Sequence, residues 1–328
     1  MRRRELILVL CGGMTLAPAL RAQQKGMPVI GCLSISPPPP SVADLSHDLV
    51  HQGLSEIGYV EGQNVTSEYR WAEFHYDRLP ALAADLVSRK VDVILALSGT
   101  PAALAAKSAT STIPIVFINV GDPVGIGLVA SLARPGGNLT GFSNISTELT
   151  AKQLELLSEL VPQAGVIALL VNPNNPNAEG VIRYAQEAAR AKKVQLAVQE
   201  AGTEAEIDAA FASLGQLHVG GLVVDADGFI SSRREQLVAL AGRHAVPAVY
   251  ALSPFVAAGG LISYGIDDSA LYHQAGIYAG RILKGEKPAD LPVQQPTIFE
   301  LVVNLDTARA LGLAVPQSIL ARADEVIE

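Results

Sequence analysis

The sequence predicts an α/β protein made of two lobes, each built on a parallel, doubly wound sheet. Short, continuous apolar runs rich in β-branched residues alternate with helical patterns along the whole chain. Continuous apolar runs are typical of strands that are covered by helices on both faces. The 328 residues hold more such runs than one sheet accommodates comfortably, and a segment rich in Gly, Asn and Ser at 133–146 divides them. Two lobes follow from this division.

The chain begins with the features of an export signal. Arg2-Arg3-Arg4 precede an apolar segment of about Leu6–Leu20, and Ala22 follows. A basic start, a short apolar stretch and a small residue are typical of a secretory signal peptide, and the stretch is short for a membrane span. We therefore predict a signal peptide over residues 1–22 and a periplasmic location. The arginines also fit a loose twin-arginine pattern, so two export routes stay open.

Lobe 1 is predicted over residues 27–141. Its strands are Val29–Ile35, Val65–Tyr69, Val91–Leu97 and Ile115–Val120, and the helices between them are Leu45–Ile57, Arg78–Ser88 and Pro101–Ala109. Pro101 suits the first turn of its helix, with Ser98 or Thr100 as the cap. A later helix is expected to return to this lobe, which would add residues 267–295 to it.

Lobe 2 is predicted over residues 143–265, with residues 296–328 as a candidate extension. Its strands are Val166–Val171, Val194–Val198, Gly221–Val224, Val246–Tyr250 and Leu261–Tyr264. Its helices are Lys152–Leu160, Ala178–Ala191, Ala205–Leu214 and Arg233–Ala241. The pattern of lobe 1 is repeated here without any evident repeat of its sequence.

Composition and motifs argue against several functions. The formal charge is −8 and no run of Lys or Arg occurs in the body of the chain, which argues against a nucleic-acid partner. Gly125-x-Gly127 lacks the strand–turn–helix context of a dinucleotide site, and His47 with His51 shows no third metal ligand. We therefore expect no cofactor and no metal. Cys32 lies in an apolar run and is predicted to be a buried strand residue.

Ligands of such sheets bind at the carboxyl ends of the strands. The loops at those ends are Ser34–Ser41, Trp71–Tyr76, Ser98–Pro101, Asn119–Pro123, Asn172–Pro176, Asp225–Phe229, Ala251–Pro254 and Gly265–Asp268. In Ser98-Gly99-Thr100-Pro101, free amides at a helix start and two hydroxyls suit a carboxylate, although simple capping without a ligand is the alternative. Asp122 stands in a second predicted helix opening of this kind.

Three further strand-end side chains leave two interpretations open. Asp225 and Asp227 can neutralise a ligand ammonium or cap the next helix. Tyr250 can stack on a ligand or belong to the core.

The chain resembles the ABC-transporter substrate-binding family with the type I periplasmic-binding-protein fold. The resemblance is carried by "GLSEIGYVEGQNV", "SGTPAALAAKSATSTIPIVF", "GDPVGIGLVASLARPGGNLTG" and "GEKPADLPVQQPTIFELVVNLDTARALGL". It implies two Rossmann-like lobes joined by a hinge of three crossovers. It also implies delivery of a small ligand to an inner-membrane permease whose ATPase subunits are separate chains. Some relatives are linked to aromatic or other amino acids.

The resemblance also implies roles for individual residues. Ser98, Gly99 and Thr100 would hold a ligand carboxylate, with Ser34 opposite them. Asp227, together with Asp225, would face an α-ammonium. Phe142, Asn172 and Tyr250 are further candidates for lining the site. Phe74-His75 departs from the family, because relatives more often carry glycine and a polar residue there.

These observations predict a monomeric, non-enzymatic solute-binding protein of the periplasm. Its ligand would be a small carboxylate-bearing molecule such as an amino acid, captured by hinge closure. Two alternatives stay open at this point. One is an exported two-lobe α/β enzyme, either a hydrolase or a sugar-modifying enzyme. The other is a ligand-sensing partner of a membrane receptor.

Overall fold

A computed structural model describes residues 26–38 and 45–328. The predicted signal peptide lies outside these residues, as does the side chain of His47. The strands are β1 Val29–Ser34, β2 Thr66–Trp71, β3 Val93–Ala96, β4 Ile115–Val120, β5 Leu139–Ser143, β6 Val166–Val171, β7 Gln195–Glu200, β8 Gly221–Val224, β9 Ala248–Tyr250, β10 Ile262–Gly265, β11 Glu300–Asn304 and β12 Glu325–Ile327. The helices are α1 Leu45–Glu56, α2 Leu79–Ser88, α3 Gly99–Ala109, α4 Ser146–Leu160, α5 Ala178–Lys192, α6 Glu204–Leu214, α7 Gly228–Ser232, α8 Arg234–Arg243, α9 Ser253–Ala257, α10 Ser269–Leu283, α11 Leu305–Ala310 and α12 Gln317–Leu320.

The strands form two sheets, which confirms the predicted fold class. Lobe 1 holds a parallel sheet in the order β2-β1-β3-β4-β5, and lobe 2 holds a seven-stranded sheet in the order β12-β11-β10-β9-β8-β6-β7. Strand order reverses between β1 and β3 in the first sheet and between β6 and β8 in the second. Ligands of doubly wound sheets bind at such reversals, so each lobe contributes one crevice.

Both faces of each sheet are buried, as the continuous apolar runs predict. In β1, Cys32 belongs to the core on one face and Leu33 to the core on the other. In β6, Leu169 and Leu170 divide between two cores in the same way. Cys32 is 1% exposed, and burial raises the pKa of its thiol to about 12. Its predicted position in a buried strand is therefore confirmed.

The chain passes between the lobes three times. It leaves lobe 1 after β5 and enters α4, which packs on β8, β9 and β10. It returns through 266–268 into α10, which packs on α1, β3, β4 and β5. It crosses again between Gln294, which pairs with Phe142 beside the first sheet, and β11 in the second. Segments 144–145, 266–268 and 295–299 are thus the three connections between the lobes.

The predicted strands and helices are all present, and the sequence interpretation missed β5, β11 and β12. One departure from the expected parallel order is that β10 and β11 are antiparallel. The chain leaves the carboxyl end of β10 for lobe 1 and re-enters lobe 2 at the same end of the sheet. β11 must therefore run away from lobe 1, against β10. Within the residues described, no helix is long and apolar enough to span a membrane.

Candidate functional site

A cavity of about 340 Å³ lies between the lobes at the carboxyl ends of their strands. Ligand sites in proteins commonly have volumes of about 300–1,000 Å³. Lobe 1 contributes Ser98 to its wall, lobe 2 contributes Asp227, and the segment between β10 and α10 contributes Asp268. The cavity is therefore formed by both lobes and by one of the connections between them.

The start of α3 forms one wall of this cavity. The Oγ of Ser98, the N-cap residue, lies 2.8 Å from the Oγ of Ser34 at the end of β1, and no side chain caps the helix. Gly99 has a φ of +71°, and a Cβ on it would lie 3.1 Å from the backbone oxygen of Asn119. The predicted residues Ser34, Ser98 and Gly99 thus come together at the reversal of the first sheet. The uncapped amides leave positive partial charge facing the cavity.

Thr100 connects this wall to lobe 2. Its side chain is 1% exposed, and its Oγ1 accepts a hydrogen bond of 2.8 Å from Nδ2 of Asn177. Because Oγ1 accepts this bond, its own proton can be donated to another acceptor. The Oδ1 of Asn177 is buried and has no hydrogen-bond donor among the described residues. Thr100 and Asn177 both line the cavity.

Asp227 lies at the reversal of the second sheet and caps α7. Its Oδ1 accepts hydrogen bonds from Nδ2 of Asn172 at 3.0 Å and from the amide of Ile230 at 3.1 Å. Its Oδ2 accepts hydrogen bonds from the hydroxyl of Tyr76 and from Nδ2 of Asn175, both at 2.9 Å. Tyr76 belongs to lobe 1, so Asp227 joins the two lobes directly.

Asp225 and Asn172 stand behind this wall rather than on it. Asn172 is 1% exposed and reaches the cavity only through its bond to Asp227. Asp225 is 4% exposed. Desolvation, and then the charge of Asp227, raise the pKa of Asp225 to about 7. Neither residue is part of the cavity lining.

Three other predicted site residues are not brought to the cavity. Phe142 packs against Tyr278, with 4.9 Å between ring centroids, and Tyr250 stacks on Phe255 at 4.6 Å, so both rings belong to the core. Asp122 does not open a helix, because residues 121–133 form turns and bends. Its Oδ1 instead accepts a hydrogen bond of 2.7 Å from the amide of Gly125. The predicted second helix opening is wrong because Gly127, with a φ of +68°, takes the backbone out of the helical region.

Several wall residues were missed, although each lies in or next to a predicted strand-end loop. They are Asn119, Asn175, Asn177 and Asp268. Their positions after β4, β6 and β10 are the signal that could have identified them. The Nδ2 of Asn119 donates a hydrogen bond of 2.9 Å to Oδ2 of Asp268. Burial raises the pKa of Asp268, and the charge of Asp267 adds to that rise.

Apolar side chains form another part of the wall. They are Ile35, Phe74, Leu149, Leu252 and Ile266. Phe74 has a φ of +62°, which is unusual for a residue other than glycine. Its ring lies edge-on to Phe229 of lobe 2 at 6.3 Å. The cavity therefore offers polar groups and an apolar surface to one ligand. Within the described part of the chain, no group of three or more His, Cys, Asp or Glu is arranged to hold a metal.

The lobes are arranged as in a ligand-bound relative. The structure of the ABC domain in complex with L-Trp from Streptococcus pneumonia superposes with a TM-score of 0.81 at 28% identity, over 92% of this chain and 99% of that one. The ligand-free, open structure of a substrate binding protein with adhesive properties from Clostridium difficile has the same identity and coverage, 28%, 92% and 99%, but a TM-score of only 0.63. Because identity and coverage are equal, the difference in TM-score indicates that the two lobes are oriented more as in the ligand-bound structure than as in the open one.

Sequence comparisons agree with the structural ones. The family described as ABC transporter substrate binding protein matches residues 40–327. A tyrosine-binding protein of Clostridioides difficile (strain R20291) is 32% identical over 263 residues, which are 80% of this chain and 75% of that protein. The resemblance noted in the sequence is confirmed, and the chain belongs to the ABC transporter substrate-binding protein family.

Proposed function

We propose that this protein captures a free amino acid between its lobes and delivers it to a membrane permease. One observation carries the proposal: the cavity holds the uncapped start of α3 on one side and the carboxylates of Asp227 and Asp268 on others. An amino acid carries one anionic and one cationic group on a single carbon. Donors and acceptors for both groups therefore meet in one enclosed space.

The carboxylate of the ligand would bind at the start of α3. The amides of Gly99 and Thr100 belong to the first turn of a helix of 11 residues, and no side chain caps that turn. An anion at such a position gains typically 0.3–1 kcal/mol, and up to about 2 kcal/mol when partly buried. The hydroxyls of Ser98 and Thr100 add donors at the same place, which makes this wall selective for an anion.

The apolar part of the wall suits a large side chain, and we propose tryptophan and tyrosine as the first ligands to test. Phe74 offers a ring, while Leu149 and Ile266 offer aliphatic surface. The complex of a relative with L-Trp and the name of the tyrosine-binding relative support this choice.

Capture would occur by closure of the lobes. Tyr76 and Asp227 bond across the lobes, as do Thr100 and Asn177. At Gly228 a Cβ would lie 2.4 Å from Cδ1 of Ile35, so the lobes approach closely there. A ligand that touches both lobes stabilises the closed form, and it shifts the equilibrium only by its difference in affinity for the two forms.

Family membership supports the rest of the proposal. The protein would act outside the inner membrane as a monomer and would dock on a permease whose ATPase subunits are separate chains. It would bind its ligand without converting it. Chromatography of the ligand after prolonged incubation with the protein should therefore return it unchanged.

Titration calorimetry against the common amino acids tests the proposal. We expect one amino acid bound per chain, and much weaker binding of the same compound without its amino or its carboxylate group. Thr100→Ala should weaken binding roughly 10-fold, because it removes a buried hydrogen-bonding group. Thr112→Ala, which changes an exposed threonine, is the matched control and should bind normally. Wild-type protein that binds no amino acid would contradict the proposal.

A further inference from the structure

We propose that Asp268 and Asn119 form the contact for the ammonium group of the ligand, and that Asp227 holds the lobes together instead. Asp268 lies on the connection between β10 and α10, and Asn119 lies at the end of β4. The proposal rests on the amino-acid function proposed above and names the groups that recognise its cationic end. Three observations support it.

The first observation is that the acceptor positions of Asp227 are occupied. An ionised carboxylate offers about four lone-pair positions. Asp227 accepts one hydrogen bond each from Tyr76, Asn172, Asn175 and the amide of Ile230. An ammonium group could bind this carboxylate only by displacing one of these donors. Asp227 is thus a link between lobe 1, β6 and α7.

The second observation is that Asp268 keeps acceptor capacity. Its carboxylate lines the cavity, and its Oδ2 accepts one hydrogen bond, of 2.9 Å, from Nδ2 of Asn119. No described lysine, arginine or histidine forms an ion pair with Asp268. Burial disfavours its ionised form, which raises its pKa. A cation beside this carboxylate would offset the cost of burying it.

The third observation is the orientation of Asn119. Its Nδ2 faces Asp268 and also lies 3.4 Å from the hydroxyl oxygen of Tyr272, which itself donates to the backbone oxygen of Leu97. Because an ionised carboxylate can only accept, Asp268 fixes the amide with its nitrogen inward. The Oδ1 atom is left buried, with no donor from the described residues. An ammonium has three N–H groups, and Oδ1 with the carboxylate of Asp268 supplies acceptors for them.

This contact is next to the proposed carboxylate site. The backbone oxygen of Asn119 faces Gly99, and the side chain of Tyr272 reaches Leu97 immediately before α3. The ammonium and carboxylate of an α-amino acid are attached to one carbon, so their sites must be adjacent. Asp268 and Asn119 meet this requirement. Asp268 also belongs to a connection between the lobes, so ligand binding there would act directly on the hinge.

Calorimetry with paired ligands tests the assignment. The probes are L-tryptophan and indole-3-propionate, which lacks the amino group, together with L-tyrosine and 3-(4-hydroxyphenyl)propionate; any other amino acid that wild type prefers is paired in the same way. Asp268→Asn keeps the acceptor for Asn119 but removes the charge. We expect it to weaken binding of the amino acid about 10- to 100-fold, and binding of the deamino acid by less than about threefold.

Two further variants complete the test. Asn119→Gly removes the amide without backbone strain, because Asn119 has a φ of +62°, and it should also reduce preference for the amino acid over the deamino acid. Asp290→Asn removes a negative charge from an exposed residue outside the cavity wall and should leave that preference unchanged. Thermal unfolding without ligand verifies that each variant is folded.

Failure of the ammonium assignment and failure of the proposed function give different results. If Asp268→Asn and Asn119→Gly keep the wild-type preference for the amino acid over the deamino acid, the ammonium assignment is overturned and the amino-acid function stands. If wild-type protein binds no amino acid, the proposed function fails and the assignment fails with it.

Discussion

Asp225 and Asp227 follow the same strand two residues apart, yet their surroundings differ. Asp227 is surrounded by donors from four other residues, including one from lobe 1. Asp225 is fully buried beside that negative charge, and its pKa rises to about 7. Four hydrogen bonds hold the carboxylate of Asp227 in place, while desolvation disfavours the ionised form of Asp225. Asp227 therefore links elements of both lobes, and we expect Asp225 to make the stability of the protein sensitive to pH.

We predict that Asp225→Asn alters the pH dependence of folding. Because the native state raises the pKa of Asp225 from 3.8 to about 7, the native protein binds this proton more tightly than the unfolded chain does. This contribution to the free energy of unfolding is fully present below about pH 4 and is lost as the pH rises through about 7. Asparagine stays neutral at every pH and so avoids the cost of burying an ionised carboxylate. At about pH 8 Asp225→Asn should therefore be more stable than wild type by roughly 2–4 kcal/mol, with little difference near pH 4.

Urea unfolding of both proteins across this pH range is the measurement. Asp290→Asn, which changes an exposed aspartate, is the control and should follow the wild-type curve. If the free energy of unfolding changes with pH in the same way for wild type and Asp225→Asn, burial does not raise the pKa of Asp225 and the prediction is wrong.

The sequence predicted which loops form the cavity better than it predicted the role of each side chain in those loops. The strand-end rule placed Ser34, Ser98, Gly99 and Thr100 together because it depends only on topology. It could not show that Asp227 is fully hydrogen-bonded, since one donor, Tyr76, is 151 residues away along the chain. The roles of Asp227 and Asp268 therefore depend on tertiary contacts that no local pattern contains.

Among the elements, α3 is a helix whose first turn is not capped by any side chain. Its N-cap serine bonds to Ser34 instead of to an amide, and Gly99 enters the helix from a left-handed backbone conformation. We predict that Gly99→Ala weakens amino-acid binding about 10-fold or more, because the left-handed conformation is strained for alanine and the first turn would shift. The strain itself should cost roughly 1–2 kcal/mol of stability.

Gly127→Ala is the matched control for this change. Gly127 has a φ of +68°, close to the +71° of Gly99, but no atom lies within 4 Å of its added Cβ, and it is outside the cavity wall. Thermal unfolding should show similar destabilisation in both variants, while calorimetry should show weaker binding in Gly99→Ala alone. Equal binding by the two variants would mean that the geometry of the α3 start is unimportant for the ligand.

The pairing of α1 with α10 closes lobe 1 and depends on two glycines. A Cβ on Gly276 would lie 2.1 Å from the backbone oxygen of Val50, and a Cβ on Gly53 would lie 2.0 Å from that of His273. Gly276→Ala should therefore destabilise the protein by about 1–3 kcal/mol or more, because the helices must separate. Gly242→Ala, in α8 with open space around it, should instead stabilise by about 0.5–1 kcal/mol. Chemical denaturation distinguishes the two, and a neutral Gly276→Ala would contradict the close crossing.

Long, apolar elements were predictable, whereas short ones were not. The runs that form β1, β3, β4, β6 and β8 are buried on both faces, so burial alone determines their composition. β12 has three residues and two of them are exposed, so its sequence carries little pattern. β11 is apolar, but its antiparallel direction follows from the return of the chain from lobe 1, which is a property of the topology.

At the scale of the whole molecule, the proposed closure depends on hydrogen bonds between the two lobes. The bond from Tyr76 to Asp227 is one of them, and it is partly buried. We predict that Tyr76→Phe favours the open form and weakens amino-acid binding roughly 10-fold, although the cavity wall keeps its ligand-facing groups. Small-angle X-ray scattering should show a larger radius of gyration for the ligand-free variant than for the ligand-free wild type.

Tyr184→Phe removes a hydroxyl from α5, outside the cavity wall, and should change neither quantity. Unaltered affinity and size in Tyr76→Phe would indicate that the hydrogen bond forms without influencing closure.

The threefold passage of the chain between the lobes has a consequence for how the molecule is made. His273 in α10 forms a hydrogen bond with Glu56 in α1, 217 residues earlier in the chain. The second sheet is incomplete without β11, at residues 300–304. A polypeptide emerging from the ribosome amino end first therefore lacks a finished core in lobe 1 until α10 has been synthesised, and in lobe 2 until β11 has been synthesised. Each half should therefore acquire its native structure only after the chain has crossed back into it.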